Sequence, residues 1–302
     1  MNKNGKLFDF FYSKLLSGKT KERSEVLIIA VAIISFVLHL LLIVLADLHI
    51  LPVNESSVLL SSPIAAIYTP FSFILIYEVY LLVYYLPKST AFYIGKQYEI
   101  ITLIIIRRMF KDLSRLELTS DWFRVEGDLQ FTYDLVATLV LFFLIYAFYR
   151  LNEATSKDRV SSQELPSELV RFIRIKNIMA MCLVPIFLIL AVFSLSKWVY
   201  ESFFSITQMV ASMKDVNKIF FDEFFTVLIL TDVLLLLLSF LHTDNFSKVI
   251  RNSGFIISTI LIKISFGIEG PLNTVLIVIA VLFGVGILAI HNLYRKLTPS
   301  DS

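Results

Sequence analysis

Long apolar runs, separated by short polar and charged stretches, set the pattern of this chain. Runs such as Val26 to Ala46 and Phe224 to Leu241 each approach the roughly 20 apolar residues that cross a bilayer core. The pattern predicts an all-α integral membrane protein, a bundle of about eight transmembrane helices. The spans fall at Glu25–Asp47, Ser62–Leu86, Lys96–Lys111, Thr132–Arg150, Asn177–Trp198, Phe221–Leu241, Ser253–Ile268 and Leu272–Asn292. The third and seventh are short and carry charge. Residues 1–24 form a cytoplasmic amphipathic segment, 25–296 the membrane domain and 297–302 a cytoplasmic tail. No internal repeat is evident.

Lysine and arginine set the orientation, because they accumulate on the cytoplasmic side. The N-terminal tail carries Lys3, Lys6, Lys14, Lys19, Lys21 and Arg23, whereas Leu48 to Ser62 has no basic residue. The mid-chain connection holds Arg150, Lys157, Arg159, Arg171, Arg174 and Lys176, and the C-terminal end holds Arg295 and Lys296. Both termini are therefore expected in the cytoplasm. The third span must cross for this to hold, although its crossing leaves Arg115 and Arg124 outside. Leu7, Phe8, Phe11, Tyr12, Leu15 and Leu16 recur at helical spacing among lysines, as in a helix lying on the membrane surface or on the protein's own loops. Phe203 to Met213 could form a similar interfacial helix on the outer side.

Composition agrees: 57% of residues are hydrophobic and 17% charged, against roughly 25% charged in soluble domains. The single Cys182 excludes an internal disulfide, and His39, His49, His242 and His291 lack metal-ligand spacing. The N-terminal apolar run is too long for a signal-peptide core and is expected to be retained. Asn54-Glu55-Ser56 is a glycosylation triplet on the expected outer loop, relevant only on a eukaryotic secretory route.

Charge inside the spans is the informative chemistry, since it must pair, face the bundle interior or line a wet path. Depth can be compared across a helical hairpin at about 1.5 Å per residue. Reflecting Asp232 through the connection near Phe246 lands close to Lys263, which predicts a buried Asp232–Lys263 pair. The alternative has Lys263 snorkelling to the interface and Asp232 protonated or bonded to polar neighbours. The same operation brings Glu78 near Arg107 and Arg108, and Arg108 near Asp134, with Glu99 closer to the inner face. These groups read either as a structural salt-bridge network or as an ion or proton path. Tyr77, Tyr80 and Tyr84 share one face, for packing, anchoring or cavity lining. Pro70 and Pro185 are expected to lie inside spans and could kink them, and Ala280, Gly284 and Gly286 suggest a small-residue packing face.

Phe71 to Ile106 resembles the second and third helices of a voltage-sensor domain through Ile76-Tyr77-Glu78, the basic connection with Lys88 and Lys96, and Tyr98-Glu99-Ile100. The resemblance implies that Glu78 and Glu99 occupy that family's acidic positions. The fourth span, Thr132 to Arg150, departs from the family in lacking arginine at every third position, and no TVGYG-like filter follows.

The expected function is an ion channel or ion- or proton-coupled transporter using Glu78, Glu99, Arg107, Arg108, Asp134, Asp232 and Lys263. The alternative is a non-transporting scaffold or assembly subunit of a membrane complex. An intramembrane enzyme is disfavoured by the lack of a His-rich box, HExxH or a spaced Ser-Lys or Asp-Asp pair. A retinal Schiff base on Lys263 is disfavoured by the eighth span and the 2 tryptophans. The expected partners are the lipid bilayer, further copies of the chain and an ion or small solute, with no cofactor and no nucleic acid. The expected location is a plasma or bacterial inner membrane.

Overall fold

Apolar residues at helical spacing, without β-rich alternation, fold here into helices throughout. The computed structural model describes residues 12–48, 63–113, 126–157, 167–204, 216–240, 246–268 and 270–297, and contains no strand among them. After a short turn at residues 12–15 come α1 (Gly18–Asp47), a 3-10 turn (Pro63–Ile67), α2 (Tyr68–Tyr85), α3 (Thr90–Leu113) and α4 (Glu126–Lys157). They are followed by α5 (Ser167–Phe204), α6 (Val216–Phe240), α7 (Phe246–Phe266) and α8 (Pro271–Leu297). Each expected span overlaps one of these helices. The helix α7 starts earlier than the apolar pattern suggests, because Ser247, Lys248, Arg251 and Asn252 lower its hydropathy without breaking it.

Six helices, α1 and α4 to α8, are long and apolar enough to cross a membrane. The apolar part of α2 is shorter, and α3, which carries Lys96, Glu99, Arg107 and Arg108, falls outside this class. Much of the apolar surface points outward: Val26, Ile29, Ile33, Ile34 and Val37 on α1 are all exposed. An outward apolar face of this extent suits lipid far better than water.

The chain divides into two compact units, Met1–Leu81 with Ile100–Leu139, and Leu82–Glu99 with Val140–Ser302. In the first, Ser17 caps α1 by accepting from the Thr20 amide. His39 bonds Thr69, Tyr77 donates to Glu25, and Tyr80 donates to the Leu15 carbonyl. These two tyrosines thus tie helices together. Pro70 lies inside the expected span, in the first turn of α2, where its missing N–H costs nothing. Pro185 does lie inside α5. Leu7 to Phe11 of the expected surface helix, the loop with Asn54 and most of Phe203 to Met213 lie outside the described residues, whereas Leu16 at the end of that stretch is buried.

In the second unit, Ser258 donates to the Ala280 carbonyl at 2.6 Å and stands 2.8 Å from the Tyr98 hydroxyl, which is then the donor to Ser258. Phe148 meets the Tyr98 ring edge-on at 5.3 Å. Gly284 makes the room: a Cβ there would collide with the Tyr98 hydroxyl. Gly286 faces open space, so it does not belong to the small-residue face expected with Ala280 and Gly284. Gly270 takes a φ of 77°, and Pro271 opens α8.

Buried positions recur between the first four helices and the last four. Tyr98, Ile101, Thr102 and Ile105 of α3 match Phe255, Ser258, Thr259 and Ile262 of α7. Asp134, Ala137, Thr138, Leu141, Ile145 and Phe148 of α4 match Ile277, Ala280, Val281, Gly284, Leu288 and His291 of α8. Ala32, His39 and Ile43 of α1 match Ala180, Phe187 and Ala191 of α5, and Leu75, Glu78, Val79 and Leu82 of α2 match Leu228, Thr231, Asp232 and Leu235 of α6. This is the spacing that any helix with one buried face shows. It is a match of buried faces, and few identities mark it along the chain.

Gly284→Ala should lower the thermal unfolding temperature in detergent, with an overpacking cost of about 1–3 kcal/mol. Gly286→Ala should leave it unchanged or slightly raised. Equal behaviour of the two variants would contradict the Tyr98–Gly284 packing.

Candidate functional site

Helices bury charge only where other groups answer it, and the first unit answers charge with charge. Arg107 on α3 donates from Nη2 to Glu78 Oε2 on α2 at 2.5 Å, both side chains being buried. Arg108 donates from Nε and Nη2 to the two Asp134 carboxylate oxygens at 2.6 Å each, a bidentate pair. Gln130 adds a bond to Asp134 at 2.9 Å. Glu78, Arg107, Arg108 and Asp134 therefore meet as expected, resolved into two pairs. Arg107 Nε and Nη1 and Asp128 Oδ2 remain buried without a hydrogen-bond partner in the protein. Such groups are ordinarily served by ordered water.

The second unit answers its buried acid differently. Asp232 on α6 is 3% exposed, and no lysine or arginine nitrogen among the described residues lies within 4.0 Å of its carboxylate. It accepts instead from Gln97 Nε2 on α3 at 3.0 Å. The Gln97 Oε1 and the Tyr93 hydroxyl, one helical turn apart on α3, are both buried with no hydrogen-bond partner in the protein. Beside them is a cavity of about 20 Å³, whose polar lining is Thr90, Tyr93, Lys176, Asp232, Ser239 and Asn252. That volume admits one water molecule or a small dehydrated cation. Lys176 on α5 borders it, donating to the Lys88 carbonyl at 3.1 Å and lying 5.1 Å from the Phe172 ring centroid.

The expected Asp232–Lys263 pair does not form. Lys263 donates to Thr226 on α6, and Asp232 turns to Gln97. Reflection through a hairpin compares depth alone, whereas successive helix positions point about 100° apart. Glu99 is bound by Lys96 at 2.7 Å and by the Tyr149 hydroxyl at 2.7 Å. Of the seven candidates, Asp232 alone joins the cavity. Gln97, Tyr93 and Asn252 were missed because neutral polar residues in a span carry no charge signal. Lys176 was counted only as a marker of the cytoplasmic side. Among the described residues no group of three His, Cys, Asp or Glu side chains could hold a metal ion.

Apolar helices of spanning length, paired charges and one acid left to a neutral partner define an all-helical chain of the multi-pass type. No protein-family model matches it, and no curated protein or solved structure shows significant similarity to it.

Removing one member of the Glu78–Arg107 pair leaves a buried charge uncompensated, at a cost of about 3–5 kcal/mol. Glu78→Gln and Arg107→Met should each strongly lower stability in detergent, and the double variant should lose much less than the two losses added. A double-mutant cycle tests this, and additive losses would refute the direct pair.

Proposed function

We propose that this chain is a multi-pass membrane protein that carries a proton or a small cation across the bilayer, with Asp232 as the group that is loaded and unloaded. The observation that carries this reading is the Asp232 carboxylate, buried beside a water-sized cavity, accepting from the neutral Gln97 amide and without a lysine or arginine of the described residues at ion-pair distance. A buried carboxylate that makes no direct ion pair gains from a proton or cation that neutralises it. The Gln97 amide suits both states: Nε2 donates to a charged carboxylate, and Oε1 can accept from a protonated one or contact a cation. The Lys176 ammonium borders the same space and competes there with an incoming cation.

In this reading all eight helices cross, both termini are cytoplasmic and α3 is a full span whose charges are matched within the protein. Single cysteines on a Cys182→Ser background test it. Ser89→Cys should react with an impermeant maleimide from the cytoplasmic side and Ser57→Cys from the opposite side. Reaction of both from one side would show that α2 does not cross.

Purified protein in liposomes, under imposed proton, sodium, potassium and chloride gradients, tests the function. Proton or cation flux is expected, falling at least about tenfold in Asp232→Asn. In Lys176→Gln flux should persist with an altered dependence on cation concentration. Absence of every flux from folded protein would overturn the reading in favour of a scaffold that binds another membrane protein.

A further inference from the structure

A second cavity lies between the first turns of α7 and the last turns of α8. Its volume is about 80 Å³, four times that beside Asp232. The two helices pack tightly at Gly254, where a Cβ would come within 2.8 Å of Ile287 side-chain atoms. One turn earlier on α7, Ile250 and Arg251 border the cavity.

Its walls differ in character. On the polar side, buried His291 pairs through Nδ1 with the Ser247 hydroxyl at 2.7 Å, and Arg251 Nη1 lies 3.5 Å from His291 Nε2. On the apolar side stand Ile250, Ile287 and Ile290, of which Ile250 is 45% and Ile290 63% exposed. The surrounding turns are basic: Lys248 and Arg251 open α7, and Arg295 and Lys296 close α8. Neither helix contains an aspartate or glutamate. Both are of spanning length, and these turns are their ends, so the cavity falls at headgroup depth.

We propose that this groove binds one anionic phospholipid, its phosphate toward Ser247 and Arg251 and an acyl chain along Ile250, Ile287 and Ile290. A free phosphate would leave the exposed isoleucine wall uncovered. A zwitterionic lipid brings no net charge to these basic turns, whereas an anionic headgroup beside basic residues at a membrane surface is favoured. The proposal does not rest on transport activity, although Arg251 also donates to Asn252, which borders the Asp232 cavity.

The test uses the full chain in detergent, titrated with phosphatidylglycerol, phosphatidylcholine or inorganic phosphate, with thermal unfolding and native mass spectrometry as readouts. Phosphatidylglycerol alone should raise the unfolding temperature and add one retained lipid. Arg251→Gln should weaken that binding about tenfold. Should Arg251→Gln fail to fold, Ile290→Trp, at an exposed position, should fill the groove and abolish the retained lipid while the chain stays folded. Equal effects of the two lipids, an equal effect of inorganic phosphate, or undiminished binding in either folded variant would overturn the proposal.

Discussion

A charge removed from water must be answered inside the fold, and the arrangement of these helices depends on how each buried charge is answered. Solvation lost on burial costs several kcal/mol per ion, so an acid in an apolar bundle must have partners arranged around it. Arg107 and Arg108 are neighbours on α3, yet they serve acids on different helices, Glu78 on α2 and Asp134 on α4. The polar character of α3, which keeps it out of the apolar spanning class, is what holds these pairs. Its charges are the cement of the first unit.

Setting the buried faces of the helices side by side makes the second acid instructive. In the matched buried faces Glu78 corresponds to Thr231, and Asp232 corresponds to Val79, so the acid has moved forward by one position. Lys263 corresponds to Ile106, one position before Arg107, so the base has moved back by one. Each shift rotates a side chain by about 100° around its helix. The charges pair in the first set of helices and not in the second, where Lys263 bonds Thr226 and Asp232 bonds Gln97. A one-position difference on each helix thus separates a direct ion pair from an acid bonded to an amide.

Much of the fold was legible in the sequence because burial in lipid demands long apolar runs, and those runs mark helices whatever their partners. Glu78, Arg107, Arg108 and Asp134 were legible for the same reason: mid-span charge is rare, and depth matching finds its partner when the azimuth also agrees. The Asp232 surroundings were not. Tyr93, Gln97 and Asn252 are neutral, and a neutral polar residue in a helix has no sequence feature separating a cavity wall from a packed interface. Close packing fixes which face of a helix is buried but leaves open which residue buries it. Leu141 and Gly284 occupy matched positions with opposite volumes, the glycine admitting the Tyr98 hydroxyl.

The two kinds of partner differ in what they permit. A guanidinium only donates hydrogen bonds and keeps its charge at all ordinary pH, so Arg107 favours a single ionised state of Glu78. An amide both donates and accepts, so Gln97 can satisfy Asp232 charged, protonated or beside a cation without a change of fold. Fixed ion pairs make a bundle rigid, and an amphoteric partner leaves one acid free to change state within it. A protein whose α3 binds Glu78 and Asp134 through arginines near its end, while nearer its start Gln97 bonds Asp232 and Tyr93 borders a water-sized space, separates the charge that supports from the charge that can be exchanged.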